Sequence, residues 1–324
     1  MSAQVPHFDN DKLAEIALTL YGIKGDITQL VSFEDQNARI KTPTDTYVMK
    51  VANARIKTSV LDMQTDILKH IHKTAPDIAV PQVLETKGGN TITDIDGHSV
   101  RMLTYIEGDL LTNAKRTPAL YHNIGNFMGR YSRAMQGYTH PAGHIEGDLW
   151  NMDNMMGCKE LLGDVIDPKV RQLLARFYDI YEQETLSKVS SLRKGILHND
   201  ANEQNLLIST SNPNIVAGVI DFGEIQYASQ INEIAITTAY SLLDEPDIQM
   251  AAHAIVKGYR QEFELEEIEL EILPNLIAMR MVQSISLSSH WAKSSPDNDY
   301  ITIVQKPAIA LLRHLEKESL TFQC

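Results

Sequence analysis

The sequence predicts an α+β protein of two parts, a small β-rich N-terminal lobe over residues 1–105 and a larger, mainly helical C-terminal lobe over residues 106–324. Short apolar runs bounded by polar turn residues dominate the first part, and such runs are typical of strands. In the second part apolar residues recur three and four positions apart, which indicates helices that bury one face. The pattern changes at Ile106-Glu107-Gly108-Asp109, which we interpret as a hinge.

Composition and charge exclude several classes of protein. The 324 residues, of which 43% are hydrophobic, suffice for a sizeable core. The net charge is −13 and no basic patch is visible, so we expect a cationic co-substrate rather than nucleic acid. Two cysteines without metal-ligand spacing, Cys158 and Cys324, favour a reducing, cytoplasmic setting. No apolar run reaches the length of a membrane span, and Met1 to Asn10 are polar and carry no apolar signal core, so we expect no membrane partner.

Local signals mark one helix and one turn of the N-terminal lobe. Asp9 caps a predicted helix over Phe8–Tyr21 and Gly22 ends it. The Asp96-Gly97 pair predicts a tight hairpin turn. The remaining predicted elements are the strands Ile27–Phe33, Asn37–Lys41, Tyr47–Ala52, Val80–Glu85, Thr91–Ile95 and Val100–Tyr105, and the helix Arg55–Lys73.

The third strand carries a candidate nucleotide contact, Lys50, in a run similar to the V-A-I-K pattern of kinases. In that pattern the lysine pairs with the α and β phosphates of the nucleotide. The loop between the first two strands contains no glycine, so it cannot approach phosphates as a glycine-rich loop does. Phosphate contacts would then come from ordinary backbone amides or from Gln36 and Asn37.

A kinase also needs an acid on the following helix to hold the strand lysine, and this chain offers Asp62 and Gln64 instead of a single clear candidate. The two positions lie about 200° apart around a helix, so both cannot face Lys50. Both alternatives stay open from the sequence.

Helical spacing accounts for most of the C-terminal lobe. The predicted helices are Leu120–Met135, Pro168–Val189, Asn232–Leu243, Pro246–Phe263, Glu267–Ser289 and Tyr300–Leu315. Between the second and third of them lies one expected interruption, a hairpin of Leu206–Ile208 and Ile215–Ile220 joined by a turn rich in Ser, Asn and Pro.

Two motifs flank this hairpin. His198 to Asn205 fits H-x-D-x-x-x-x-N, and Asp221-Phe222-Gly223 follows the second strand. The hairpin would bring Asn205 and Asp221 to the same open end, where an amide oxygen and a carboxylate suit Mg²⁺. Asp200 would lie on the loop entering the hairpin, placed to accept the proton of a hydroxyl group. These residue types in this order indicate phosphoryl transfer from ATP.

Together these residues resemble the aminoglycoside phosphotransferase and choline kinase superfamily, which has a protein-kinase-like bilobal fold. Details similar to the hydroxylysine kinase and homoserine kinase branch are Asp35-Gln36-Asn37, His140-Pro141-Ala142, His198-Asn199-Asp200-Ala201-Asn202 and Asn232-Glu233. The resemblance implies that Asp200 is the catalytic base, that Asn205 and Asp221 hold Mg²⁺, and that Lys50 holds the phosphates of ATP. It also implies that Leu103 to Ile106, including Tyr105, present backbone groups to adenine.

The chain departs from the family pattern at two positions. Where the family has an acid on the second helix, this chain has Gln64. Where the family often has Trp-Asp-Leu, it has Trp150-Asn151-Met152, which removes an acidic contact on the substrate side. Glu224 and Glu233 follow the metal aspartate and are candidate contacts for a substrate ammonium group. The alternative is a charge favoured at a helix N-terminus.

The function expected from the sequence is an ATP-dependent kinase that phosphorylates a hydroxyl of a small amino alcohol or hydroxy amino acid, similar to hydroxylysine or homoserine. Alternatives are an aminoglycoside or choline/ethanolamine-type kinase, or a nucleotide-binding regulator without catalysis. A protein kinase is disfavoured because the helix at Asn232 begins soon after Gly223 and leaves no long activation segment.

Overall fold

The chain forms two compact units, and the computed structural model describes residues 6–32, 35–294 and 299–322. The first unit comprises Met1–Glu107 and Gly218–Ile220, and the second comprises Gly108–Ala217 and Asp221–Cys324. Phe33, at the end of a predicted strand, and Cys324 lie outside the described residues.

The first unit begins with helix α1, Asn10–Ile16, which continues as a π-helical stretch, Ala17–Tyr21. Asp9 caps α1 by accepting the backbone N–H of Lys12 at 2.8 Å. Gly22 ends the stretch with φ 74°, in the left-handed region that glycine adopts without strain. The predicted cap and stop are thus confirmed.

A six-stranded antiparallel sheet forms most of this unit, in the order β1-β2-β3-β6-β4 with β5 paired to β6. Asp96 and Gly97 turn the last hairpin with positive φ angles of 53° and 82°, as their sequence predicts. The elements are β1 Asp26–Leu30, β2 Gln36–Lys41, β3 Thr46–Val51, helix α2 Thr58–Thr74, β4 Val83–Leu84, β5 Thr93–Ile95 and β6 His98–Thr104.

Strand register divides the sheet into two faces. Ala38, Met49 and Met102 lie in one row across β2, β3 and β6 and pack into the core with α1. Because side chains alternate along a strand, the neighbouring row points to the opposite face. That row contains Lys50, which lies between Asn37 on β2 and Arg101 on β6.

Helices dominate the second unit, as the sequence predicts. The two largest differences are that the predicted helix Pro168–Val189 breaks at Thr185 and that Asp299–Thr302 is a 3₁₀ turn before the last helix. The other helix ends shift by up to about three residues. The helices are α3 Pro118–Ala134, α4 Pro168–Glu184, α5 Leu186–Val189, α6 Ile231–Ser241, α7 Ile248–Arg260, α8 Glu267–Ala292 and α9 Gln305–Leu315, with a long 3₁₀ stretch at Met152–Asp164. None of the helices described is both long and apolar enough to cross a membrane.

Helix α8 is the central element of this unit. It packs against α4, α6, α9 and the stretch Met152–Asp164, and it begins in a capping box formed by Glu266 and Glu269. An α-helix that neighbours surround on most sides is apolar around its circumference. The polar side chains of its buried middle turns, Arg280 and Gln283, therefore need partners inside the protein.

The chain after residue 107 contains more strands than the sequence predicts. The expected hairpin is present as β9, Leu206–Ile208, and β10, Val216–Val219, and β7, Asp109–Leu110, extends this sheet from within the predicted hinge. A further pair, β8 Lys194–Leu197 and β11 Gln226–Ser229, was not predicted. These strands have two to four residues, too few to show a period, and their partners lie far along the chain.

Candidate active site

The loop between β8 and β9 and the turn after β10 share an uncommon backbone conformation. Asn199 and Asp221 have φ angles of 65° and 61°, in the left-handed region that non-glycine residues rarely enter. Such conformations persist where surrounding contacts enforce them, and they cluster at functional sites. Here they flank the predicted base, Asp200.

Both carboxylate oxygens of Asp200 have defined partners. Oδ1 accepts a hydrogen bond from Asn202 Nδ2 at 2.9 Å, and Oδ2 accepts one from Asn205 Nδ2 at 2.8 Å. A guanidinium nitrogen of Arg280 lies 3.5 Å from Oδ1, and 23% of the Asp200 side chain stays exposed. The carboxylate is therefore oriented by its neighbours while part of it remains open to an incoming proton.

Burial raises the pKa of Asp200 to about 7. Arg280 opposes this shift, whereas the negative charges of Asp221 and Glu203 add to it. A general base is most effective when its pKa lies near the working pH. The carboxyl thus has the proton affinity that abstraction from a hydroxyl group requires.

Asn205 contacts Asp200, and Asp221 lies near enough for its charge to raise the pKa of Asp200. The amide nitrogen of Asn205 donates to the backbone oxygen of Asp200 as well as to its carboxylate, each at 2.8 Å. Its amide oxygen is thus the atom left to offer a cation, and the exposed carboxylate of Asp221 is the second oxygen donor. Among the described residues no group of three or more His, Cys, Asp or Glu side chains could hold a metal. The pair fits a hard cation that completes its shell with water and phosphate oxygens.

His198 supports the loop. Its Nδ1 accepts the backbone N–H of Asp200 at 3.3 Å, which places the ring proton on Nε2. The buried ring packs edge-on against Phe222, with centroids 4.8 Å apart, and against Tyr131 of α3, at 6.1 Å. These contacts give His198 a structural role and link the two motifs to each other.

Glu233 does not face a substrate, so this part of the sequence prediction is wrong. The residue has 0% exposed surface, and its Oε2 accepts the backbone N–H of His198 at 2.6 Å. Burial raises the pKa of Glu233 to about 7, and hydrogen bonds from the backbones of His198 and Asn199 counteract that rise. The carboxylate of Glu233 thus stabilises the left-handed backbone at Asn199 by binding the N–H groups of His198 and Asn199. The sequence could not show this, because α6 is apolar over most of its length and offers no period.

Glu224 lies beside the base. It reaches the surface, yet protein displaces water around its carboxyl group and raises its pKa to about 8. Negative charge on Asp200 and Asp148 raises that pKa further. Burial and closely spaced acids thus both disfavour the charged form of Glu224, and a bound cation would favour it.

Asp148 is an acidic residue that the sequence interpretation missed. Its Oδ1 accepts the backbone N–H of Trp150 at 3.0 Å and its Oδ2 accepts Gln226 Nε2 at 2.9 Å. Asn151, at the position where the family often has an acid, is only 6% exposed and donates to the backbone of Tyr227. Two acids lie near this position, Asp148 three residues before Asn151 and Asp153 two residues after it. Asp153 is bound by Lys194, Ser229 and Asn232.

Arg280, which is buried on α8, pairs with the carboxylate of Asp200. Its guanidinium carbon lies 4.7 Å from the ring centre of Trp150 and 5.5 Å from that of Tyr240. The Trp150 ring also contacts Trp291, with centroids 5.6 Å apart. These aromatic neighbours were not predicted, because they come from three separate segments.

In the first unit, the structure changes the expectation for Gln36. Its side-chain amide forms two hydrogen bonds with the backbone of Phe8, at 2.8 and 2.7 Å, on the face packed against α1. It is therefore committed to the N-terminal segment and its side chain is not a phosphate contact. Asn37 instead lies directly opposite Lys50 on the other face.

The structure also limits which backbone groups between Leu103 and Ile106 could bind adenine. The backbone N–H of Tyr105 donates to Thr46 and that of Thr104 donates to Gln82. Because these two N–H groups already have partners, adenine contacts from the segment that begins at the buried Leu103 would use carbonyl oxygens.

The two candidate partners of Lys50 differ in burial. On α2 the side chain of Asp62 is exposed, whereas Gln64 is only 5% exposed. The carboxylate at position 62 therefore points to solvent, and burial favours Gln64 as the polar group inside the unit.

Comparisons with known proteins agree with this geometry. A family model described as "Phosphotransferase enzyme family" matches residues 26–270. Hydroxylysine kinase of Mus musculus is 27% identical over 340 residues, covering 96% of this chain and 90% of that protein. A microcompartment-associated aminopropanol kinase has a similar structure, with a TM-score of 0.76 at 18% identity, covering 95% of this chain and 98% of that one. Amicoumacin kinase, solved with AMP-PNP, Ca²⁺ and Ami, gives a TM-score of 0.71 at 17% identity, covering 97% of this chain and 95% of that one.

Proposed function

Because the chain belongs to the phosphotransferase enzyme family, we propose that it is an ATP-dependent kinase for a hydroxyl of a small amino alcohol or hydroxy amino acid. The observation that carries the proposal is the carboxylate of Asp200, which Asn202, Asn205 and Arg280 orient beside two further acids. Phosphotransferases of this kind need a base for the hydroxyl and a negatively charged place for the amine.

In the proposed reaction the acceptor hydroxyl gives its proton to Asp200 and its oxygen forms a bond to the γ-phosphorus of ATP. The bond between that phosphorus and the bridging oxygen breaks, and ADP leaves. Mg²⁺ held by Asn205 and Asp221 would neutralise charge on the phosphates. Asp200 contributes orientation as well as basicity, because its hydrogen bonds fix where the proton is accepted.

Nucleotide contacts are proposed for the first unit. Lys50 and Asn37 share one face of the sheet at directly opposed positions, which supports a joint role toward phosphates. The carbonyl oxygens of Leu103 and Tyr105 are the proposed adenine contacts. Asp148 and Glu224 are the proposed contacts of the acceptor's ammonium group, since their charges already act on each other.

Relatives support an aminated acceptor. Hydroxylysine and aminopropanol, in the names of two similar proteins, each combine a hydroxyl with an ammonium group. A carboxylate that binds the ammonium would hold the hydroxyl near Asp200, and such positioning supplies much of the rate of a phosphoryl transfer.

The proposal is tested by comparing hydroxylysine and aminopropanol with analogues in which hydrogen replaces the amine. We expect kcat/KM to be far higher for the amines, and Glu224→Gln and Asp148→Asn to reduce that preference. Glu182→Gln, at an exposed site on α4, serves as the control with an unchanged preference. Equal kcat/KM for amines and neutral analogues would refute the cationic acceptor, and turnover of aminoglycosides alone would assign a different substrate class.

A further inference from the structure

The guanidinium of Arg280 joins several segments around the active site. On the middle of α8 and only 1% exposed, it donates to the backbone oxygen of Trp150 at 3.3 Å and to that of Asn199 at 3.4 Å. The same group pairs with the carboxylate of Asp200 at 3.5 Å. No step of the proposed reaction uses this side chain.

We propose that Arg280 is a positioning residue that fixes the acceptor-side segment Asp148–Asn151 relative to the catalytic loop His198–Asn205. Through its Trp150 contact it holds the segment that carries Asp148. Through Asn199 and Asp200 it holds the left-handed turn and the base. This inference rests on the proposed function for its kinetic consequence.

A second residue of α8 strengthens the connection on the acceptor side. Gln283, one turn after Arg280, accepts a hydrogen bond from the guanidinium at 3.1 Å and donates to the backbone oxygen of Leu149 at 2.6 Å. The carbonyls of Leu149 and Trp150 are thus both bound by one buried helix. Each carbonyl also has one longer contact, Leu149 with Cys158 Sγ at 3.6 Å and Trp150 with Asn199 Nδ2 at 3.5 Å. The contacts from α8 are the shorter ones and restrain the segment.

The planar shape of arginine suits this arrangement. Its fork reaches acceptors on two sides while its central carbon lies over the rings of Trp150 and Tyr240. Lysine keeps the charge but presents a compact ammonium group without the planar fork that reaches both carbonyls. A lysine at this position should therefore recover charge pairing without recovering the spacing between the two segments.

Kinetics of Arg280→Met and Arg280→Lys test the proposal on the full-length protein. For Arg280→Met we expect kcat to fall about 100-fold or more, because a displacement near 1 Å has this effect on oriented reactants. The dissociation constant of Mg·ATP should change little. The kcat of Arg280→Lys should lie between that of Arg280→Met and that of the wild type. A kcat of Arg280→Met within a few-fold of wild type, measured below its melting temperature, would overturn the proposal.

Arg193→Met provides a matched control. Arg193 also lies over an aromatic ring, Phe263 at 5.2 Å, and also pairs with a buried carboxylate, Glu269 at 2.5 Å. Its loss should lower the melting temperature while kcat of the folded protein is retained. Equal losses of kcat in the two methionine variants would show that Arg280 acts only through stability.

Hydrogen–deuterium exchange supplies a readout that needs no substrate. In Arg280→Met the amides of residues 148–151 and 198–202 should exchange faster together, while Arg193→Met should affect only its own surroundings. Unchanged exchange at 148–151 would refute the coupling even if activity fell. Failure of the wild type to phosphorylate hydroxylysine and aminopropanol would count against the proposed function, and exchange would still decide the role of Arg280.

Discussion

The carboxylate of Glu233 on α6 accepts the backbone N–H of His198 at 2.6 Å, so a side chain with no exposed surface supports the loop that carries the base. The loop needs such support, because its next residue, Asn199, adopts a left-handed backbone conformation. A buried carboxylate is also a group whose ionisation costs stability.

We predict that this cost makes stability depend on pH through Glu233. Burial raises its pKa from 4.5 to about 7 in the folded protein. As pH rises between these values, Glu233 loses its proton in the unfolded chain before it does so in the folded protein, so the free energy of unfolding falls. Above the folded pKa this decrease in stability is complete. Glu233→Gln should therefore melt near the wild-type temperature at about pH 5 and several degrees above it at about pH 8.

Thermal unfolding at both pH values checks this, with Glu182→Gln at an exposed site as the control. A constant difference between Glu233→Gln and wild type across the pH range would contradict it. Glu233→Ala should lower the melting temperature at both values, because two backbone donors lose their acceptor.

Replacing the base should affect turnover and spare nucleotide affinity. Asp200→Asn keeps the shape of the side chain but removes the proton acceptor, so we expect kcat to fall by about 10²–10⁴. Calorimetry should show nearly unchanged Mg·ATP affinity. The control is Asp179→Asn, at an exposed position on α4. Near-normal turnover by Asp200→Asn would exclude this residue from the chemical step.

Asp221→Ala should weaken nucleotide binding only when Mg²⁺ is present. The substitution leaves the amide oxygen of Asn205 without its carboxylate neighbour, and a hard cation then lacks a charged protein ligand. Calorimetric titrations of ATP with Mg²⁺ and with a chelator separate the two contributions. Wild-type affinity for Mg·ATP in this variant would refute the metal assignment.

The partner of Lys50 can be decided by a double-mutant cycle. We expect Asp62→Ala to leave nucleotide affinity unchanged, because this side chain is exposed, and Gln64→Ala to weaken it. The loss in Lys50→Ala/Gln64→Ala should be smaller than the sum of the single losses if the two residues act as a pair. Additive losses would show that they act independently.

Local signals in the sequence predicted the parts of the protein that neighbouring residues decide. Asp9, Gly22 and the Asp96-Gly97 turn act within a few residues, through a cap hydrogen bond or a positive φ angle. Asn205 follows Asp200 by five positions and returns to it directly, so one short loop brings the two together. Such contacts need no knowledge of distant segments.

Partners far apart in the chain could not be identified in this way. Gln36 reaches Phe8 rather than a nucleotide because strand alternation turns it toward α1, a matter of sheet register. Strands β8 and β11 are too short for a period, and only their mutual hydrogen bonds define them. Asp148 could not be selected from the sequence because its segment is held by β11 and α8, two elements distant in the chain.

The sequence by itself determined the two-part α+β architecture and the order of Asp200, Asn205 and Asp221 around one hairpin, because each depends on periodicity or spacing within a few residues. Only the tertiary structure decided that Glu233 lies beneath the catalytic loop and that Arg280 pairs with Asp200. Both side chains stand on helices buried on most sides, where hydrophobic periodicity vanishes and the direction of a polar group depends on which distant backbone needs a partner.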